Sequence, residues 1–381
     1  MIPYGRQDIR QEDIDAVVEV LRSDFLTQGP QVPRFEAAVA AAAGAAHAVA
    51  VNSATSALHI ACLALGLGPG DWLWTSPITF VASANVGLLC GAQVDFVDVD
   101  PQTANLCPRA LEAKLVQAKA EGRLPKVLIP VHMGGQSCDM AAIGALARAY
   151  GVRVIEDASH AIGASYLGRP VGDCRFSDIT VFSFHPVKIV TTAEGGAATT
   201  LDAGLAQRME LFRSHGVTRD PALMEWESDG PWYYQQVALG LNYRMTEMQA
   251  ALGVAQMHRL TAYVDRRNAL ADRYDAELAG LPLALPGRMA GARSAFHLYA
   301  IRVAADRRRA VFESLRAEGI GVNVHYIPVH TQPHYRRLGF QPGQFPAAEG
   351  YYAGAISIPL YAGLTDAMQD QVIAALRKVL A

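Results

Sequence analysis

The sequence predicts an α/β protein, a mainly parallel sheet covered on both faces and followed by a smaller C-terminal α/β unit. Three observations carry this. From about residue 45, short apolar runs alternate with helical patterns. The apolar runs are unbroken instead of alternating with polar residues, as strands buried on both faces are. Near residue 246 the pattern changes to a long amphipathic helix followed by fewer strands. With 381 residues, 51% hydrophobic and 18% charged, the chain has the length for two domains and a large core.

The elements follow in order. "HAVAVNS" (47–53) reads as a buried strand, and "ATSALHIACLALGLG" after it as a helix ended by glycine. "DWLWTS", "AQVDFVDVD", "PKVLIPVHM", "VRVIEDAS" and "DITVFSFH" read as further strands, with helical stretches such as "MAAIGALARAYG" between them. Thr246 and Gln249 have the spacing of a capping box. The long helix they open carries Leu252, Ala255, Leu260, Val264, Ala271, Tyr274 and Leu278 along one stripe. Beyond it, "FHLYAIRV", "GVNVHYIP" and "AISIPL" are strand-like, and "ADRRRAVFESLRAEG" and "TDAMQDQVIAALRKVL" are helical. The boundary is expected inside the long helix, giving a large domain over 1–260 and a small one over 261–381.

Several classes of function are disfavoured. The formal net charge is −3 and no basic stripe is present, which argues against a nucleic-acid partner. The apolar stretch 36–51 is mostly alanine, interrupted by Gly44 and His47, and reads as no membrane span. The N-terminal residues hold no apolar signal core. Five cysteines, an odd number without redox or metal spacing, suggest reduced thiols and a cytoplasmic enzyme. His325, His330 and His334 fit no common ligand spacing, so no metal is expected.

Only five of the 33 basic residues are lysines. Lys114, Lys119 and Lys378 lie in polar helical stretches and are expected in solvent, and Lys126 precedes a strand. Lys188 stands apart in "FSFHPVKIVTTAEGGA" (182–197), an apolar, strand-like run, with no Asp, Glu, Lys or Arg within five residues on either side. Lysine is rarely buried unless paired or chemically used, and an apolar pocket favours its neutral amine, the form that condenses with a carbonyl.

Three further elements fall at the carboxyl ends of strands, where ligands of parallel sheets gather. "NSATSALH" (52–59) opens a helix, whose free N–H groups suit a phosphate; Ser53 or Thr55 as a plain cap is the alternative. Asp157 in "EDASHA" (156–161) is suited to hold a cationic ring nitrogen or, alternatively, to cap a helix. Phe80 in "PITFVASAN" is suited to stack on a planar ligand or to pack in the core. Phosphate cradle, ring-nitrogen partner, stacking ring and Schiff-base lysine together describe a pyridoxal 5′-phosphate site.

The sequence resembles the sugar aminotransferases of the DegT/DnrJ/StrS type, nearly end to end, from "SDFLTQGP" (23–30) to "AISIPL" (355–360). "NSATSAL", "SHAIG", "FSFHPVK", "TTAEGGA", "LFRSHG" and "VHYIP" carry the resemblance, most closely to the branch that aminates C4 in pseudaminic acid biosynthesis. It implies the type I, aspartate-aminotransferase-like fold and pyridoxal phosphate as cofactor. Lys188 takes the Schiff-base role, Asp157 the ring nitrogen, and His160 a place near the ring's phenolic oxygen. Phe80 becomes the stacking ring, and Ala54, Thr55 and Ser183 the phosphate ligands, with alanine at 54 where many relatives have glycine.

The resemblance further implies a homodimer with shared active sites, in which Asn242 reaches the phosphate of the second subunit. The substrates it implies are L-glutamate and a UDP-linked 4-keto-6-deoxy-N-acetylhexosamine, met by His185 and by Tyr4, Arg6, Thr27, Gln28, His325 and Tyr326; the alternative for the stretches 4–6, 27–30 and 324–328 is a dimer-packing arm, a loop and an ordinary strand end. In a dehydrating branch of the family a histidine replaces the lysine; with Lys188 in place, transamination is expected, and His185 is either a neighbour of the substrate or a packed residue. The alternatives are an aminotransferase for another nucleotide-linked keto sugar, of perosamine or macrolide type, and a PLP-fold regulator without turnover. Intact Lys188 and Asp157 argue against the regulator.

Overall fold

A computed structural model describes residues 1–381. Its centre is a seven-stranded sheet formed by β1 (His47–Val51), β2 (Trp72–Thr75), β3 (Gln93–Phe96), β4 (Val127–Ile129), β5 (Arg153–Asp157), β6 (Ile179–Ser183) and β7 (Gly196–Thr200). The strand order is β1-β7-β6-β5-β4-β2-β3, and only β7 runs against its neighbours. Because side chains alternate across a strand, every strand but the edge strand β3 feeds two cores. Val49, Val51, Ile155 and Val181 join one core with the helix Ala54–Ala64. Ala50 and Phe182 join a second, with Phe35 and Ala250 from the helices Gln31–Ala43 and Glu247–Met257. Leu128 and Val154 meet Leu111 and Ile143 in a third. Burial on both faces accounts for the unbroken apolar strands in the sequence.

The expected long helix is two. Glu247–Met257, with the Thr246–Gln249 capping box in place, ends at His258, and Leu260–Glu277 starts afresh. Leu260, Tyr263 and Val264 of the second helix still pack on the sheet unit, whereas Leu270, Ala271, Tyr274 and Leu278 pack with Ile301, Val311, Ile356 and Leu376. We place the change of unit between Val264 and Leu270. The smaller unit is built on the antiparallel pair Tyr299–Arg302 and Ala355–Ile358, covered by the helices Arg308–Ala317 and Asp366–Leu380. Ile2 joins its core, with the backbone of Ile2 bonded to Gly319 and Gly321. "GVNVHYIP" is not the strand the sequence suggests. Apart from that N-terminal contact its backbone is bonded to the small sheet at one point, Asn323 to Ser357, and then leaves toward the large unit.

Lys114 is a further correction. The helix Pro108–Ala120 turns it inward, with Nζ 2.6 Å from Asp95 and 5.0 Å from the centroid of the Trp74 ring. Burial lowers its pKa, against the pull of Asp95. No helix is long and apolar enough to cross a membrane.

Candidate active site

The carboxyl ends of β1, β5 and β6 open onto one cleft of about 470 Å³, within the size of small-molecule sites. Lys188, Asp157, His160, Ser183, Ala54, Thr55 and Phe80 all line it, as do Tyr4, His185, His325 and Tyr326.

Lys188 is not in a strand. β6 ends at Ser183, and Lys188 sits in the connection to β7, with its N–H donating to the His185 carbonyl at 2.9 Å. Burial of the ammonium lowers its pKa to about 8, and the charge of Asp157 opposes that shift. The facing imidazoles are held neutral by burial and by Lys188. His160 and His297 are pushed well below the usual histidine value, and His325 to about 4.

The two carboxylates of "EDASHA" part because strand residues alternate. Glu156 points away from the cleft, to His132 at 2.7 Å and Ser177 at 2.5 Å. Asp157 points in. Its Oδ2 accepts from the Ser83 hydroxyl at 2.7 Å and its Oδ1 from the Ser159 amide at 3.1 Å. Since Ser83 donates to Asp157, the Thr79 hydroxyl at 2.7 Å donates to Ser83. The carboxylate is therefore oriented from both oxygens.

The stretch expected to cradle a phosphate is the start of the helix Ala54–Ala64. Ser53 caps it, accepting from the Ser56 amide at 3.1 Å. The amides of Ala54 and Thr55, in the first turn, have no carbonyl four residues back and are free for an anion. A Cβ at Gly196 would lie 2.5 Å from the Ala54 nitrogen, so β7 passes this turn at a distance only glycine allows. Free amides, the Ser183 hydroxyl, an oriented carboxylate and a lysine of lowered pKa in one cleft fit pyridoxal phosphate: Ala54, Thr55 and Ser183 for the phosphate, Asp157 for the ring nitrogen, Lys188 for the aldehyde.

Phe80 is 60% exposed, its ring 6.3 Å from that of Tyr326, open to a planar ligand instead of packed in the core. His185 is exposed at the mouth, 4.0 Å from Glu194, and so is not a packed residue. His325 is buried, its Nδ1 2.8 Å from the Ser357 hydroxyl, and its ring packs 5.4 Å from Tyr4. His330 turns away to Glu349 at 2.9 Å.

Four expected residues are not brought to this cleft within one chain. Arg6 is exposed beside Tyr361. Thr27 and Gln28 are exposed, and Gln28 lines a separate hollow with Arg213 and Arg244. Asn242 is exposed, its backbone bridged to Ser214. Sequence reasoning missed Ser83, His297 and the pair Gly134–Gly135. The glycines in "VHMGGQ" were the available signal, because two adjacent glycines mark a turn with positive φ, here 66° and 104°.

Comparison with known proteins agrees with this geometry. Residues 7–377 match the model of the DegT/DnrJ/EryC1/StrS aminotransferase family. The chain is 40% identical over 385 residues to the spore coat polysaccharide biosynthesis protein SpsC of Bacillus subtilis, covering 99% of this chain and 97% of that protein. It is 37% identical over 387 residues to the UDP-4-amino-4,6-dideoxy-N-acetyl-beta-L-altrosamine transaminase of Campylobacter jejuni, covering 100% of this chain and 98% of the other. Among solved structures, Helicobacter pylori PseC, an aminotransferase involved in the biosynthesis of pseudoaminic acid, superimposes with a TM-score of 0.91 at 31% identity, over 100% of this chain and 99% of that one.

Proposed function

The chain belongs to the DegT/DnrJ/EryC1/StrS aminotransferase family, whose members are pyridoxal phosphate-dependent, and from that premise we propose that it moves the amino group of L-glutamate to C4 of UDP-2-acetamido-2,6-dideoxy-β-L-arabino-hexos-4-ulose, on the way to pseudaminic acid. That it is a PLP-dependent sugar aminotransferase follows from the family and from its relatives. The amino donor, the nucleotide and the position on the sugar are our reading.

The observation that carries the reaction is Lys188, with a pKa of about 8 and the oriented Asp157 facing it. Pyridoxal phosphate, when bound, supplies the electron sink that lets a proton leave the amino-bearing carbon. Asp157 keeps a proton on the ring nitrogen through a charge-assisted hydrogen bond. Lys188, as a neutral amine, would take the proton from the donor's α-carbon and return it to the carbon on the far side of the nitrogen, the cofactor's C4′. The free amides of the helix start hold the phosphate, and Phe80 covers one face of the ring. Tyr4, His185 and His325 form the polar side of the cleft that meets the sugar. In this reading Thr27, Gln28 and Asn242 serve the site of a second subunit in a homodimer.

The sugar is supported by full-length likeness to a transaminase named for that product. A second reading has its own observation: the relative at 40% identity is named for spore coat polysaccharide, so another nucleotide-linked keto sugar is the competitor. The test is competition, under equal glutamate, between the L-arabino sugar, its D-xylo epimer at C5 and a deoxythymidine-linked 4-keto sugar, read by product mass. Preference for the L-arabino sugar is expected. Preference for either competitor assigns the protein to another branch.

A further inference from the structure

His160 has both ring nitrogens engaged by the protein. The Gly134 N–H donates to Nδ1 at 3.3 Å, and Nε2 lies 3.1 Å from the Tyr326 hydroxyl oxygen. An N–H pointed at Nδ1 requires a lone pair there, so the ring proton is on Nε2 and is donated to Tyr326. The Tyr326 oxygen accepts that bond, and its own proton must go elsewhere. No other hydrogen-bond partner in the chain faces it; what faces it is the cleft that Tyr326 lines.

The chain builds this arrangement deliberately. Gly134 and Gly135 take φ of 66° and 104°, and a Cβ on Gly135 would sit 2.9 Å from the His160 carbonyl oxygen and 2.8 Å from the Phe296 amide. The turn that presents the Gly134 amide therefore needs glycine. On the other side the His297 ring packs at 4.4 Å from His160. The buried Arg267 donates to the Phe296, His297 and Leu360 carbonyls at 3.0, 3.4 and 2.9 Å and so fixes the backbone that carries His297. His160 thus has little freedom to turn its Nε2 from Tyr326 to a ligand.

We propose that His160 is a positioning residue that acts through Tyr326: it fixes the Tyr326 hydroxyl as a donor into the cleft, where Tyr326 gives the hydrogen bond to the phenolic oxygen of pyridoxal phosphate. This rests on the cofactor assignment above and not on the identity of the sugar. The argument for the phenolic oxygen is chemical. With phosphate at the helix start, ring nitrogen at Asp157 and aldehyde carbon at Lys188, the ring edge that bears the oxygen lies opposite the phosphate arm and beside the carbon that takes the lysine. His160 and Tyr326 line the same cleft, and the proposal puts them at that edge.

The charged and titratable groups around the pair are Lys188, His297 and His325 for His160, and Tyr4, Asp157 and Tyr351 for Tyr326. The variants below leave all of them in place. A donor at the phenolic oxygen stabilises its ionised form, so removing the donor makes the loaded cofactor hold its proton more tightly.

Two measurements test the proposal without sugar or glutamate, so an error in the substrate leaves both readable. First, 15N spectra of histidine rings in the cofactor-free protein, with His160 assigned by its loss in His160→Gln, are expected to show a neutral ring protonated at Nε2 at pH 7. An Nδ1-protonated ring or an imidazolium overturns the proposal, and this readout uses the native protein. Second, the visible band of the cofactor-loaded protein is titrated with pH. Tyr326→Phe and His160→Leu are expected to raise its midpoint by about one unit, a tenfold tighter proton. His160→Gln, which keeps an N–H for Tyr326, is expected to raise it less. A wild-type midpoint in Tyr326→Phe overturns the proposal, as does equal disturbance by Gln and Leu at position 160.

Discussion

Lys188 becomes an amine near pH 8 because the cleft strips water from its ammonium more than Asp157 compensates. Covalent capture of pyridoxal phosphate by the cofactor-free protein needs that amine. Its rate is therefore expected to rise with pH through a midpoint near 8 and to level off above it, whereas an ordinary lysine keeps rising toward about 10.4; stopped-flow absorbance at fixed cofactor reads this directly. Lys188→Ala is expected to lose turnover by at least about 10²-fold, the low end for a positioned base. It should still fold and still bind pyridoxamine phosphate, as circular dichroism and equilibrium dialysis check. Asp157→Asn is expected to cost about 3–4 kcal/mol in the barrier, the size of other preorganised polar groups. Ser83→Ala removes one of the two donors to Asp157 and leaves the charge, so a smaller loss of about 1 kcal/mol is expected, near fivefold in rate. A loss in Ser83→Ala equal to that in Asp157→Asn would mean the carboxylate works only in one orientation.

At the scale of elements, what could be read from the sequence depended on whether the signal was local. Strands buried on both faces announce themselves by composition, and the helix opened by Thr246 by its cap. The run 182–197 misled because its aromatic and aliphatic residues continue on both sides of Lys188. The sign that β6 stops was Pro186, which cannot donate to a ladder. The Phe184 N–H instead pairs with the Gly195 carbonyl, and its carbonyl accepts from Thr192, which loops Lys188 out into the cleft. Ser83 was illegible for a different reason: it reaches Asp157 across 74 residues, a meeting only the packed fold creates. Gly196 joins the two cases, visible as a glycine but with its purpose set by a distant helix. Gly196→Ala would place a methyl 2.5 Å from backbone atoms of Ser53 and Ala54 that have no room to yield. A destabilisation of about 1–3 kcal/mol is expected, together with weaker cofactor binding as the helix start is displaced. Gly68→Ala, with nothing within 4 Å, is the control. Thermal melts of the cofactor-free proteins separate the first effect, and cofactor titration the second; unchanged cofactor affinity in Gly196→Ala would remove the helix start from the phosphate site.

For the whole molecule, the proposed homodimer turns on pieces outside the cleft. Asn242 is exposed and lies apart from the cleft of its own chain. The segment before it exposes Trp226 at 70%, Trp232 at 69% and Leu239 at 85%, bulky apolar groups that a lone chain gains nothing by leaving in water. If Asn242 completes the partner's site, two inactive variants should repair each other. A Lys188→Ala chain keeps Asn242, and an Asn242→Ala chain keeps Lys188. In a mixed dimer the site built on the intact lysine receives the intact asparagine, and the other site receives neither. Random exchange makes about half of the dimers mixed, each with one good site, so about a quarter of wild-type activity is expected from two preparations that are each nearly inactive. If each chain built its site alone, every site in the mixed dimer would lack one of the two residues and no activity would return. Native mass spectrometry of the mixture establishes that exchange has occurred, so that failure to recover activity counts against the shared site and not against the mixing.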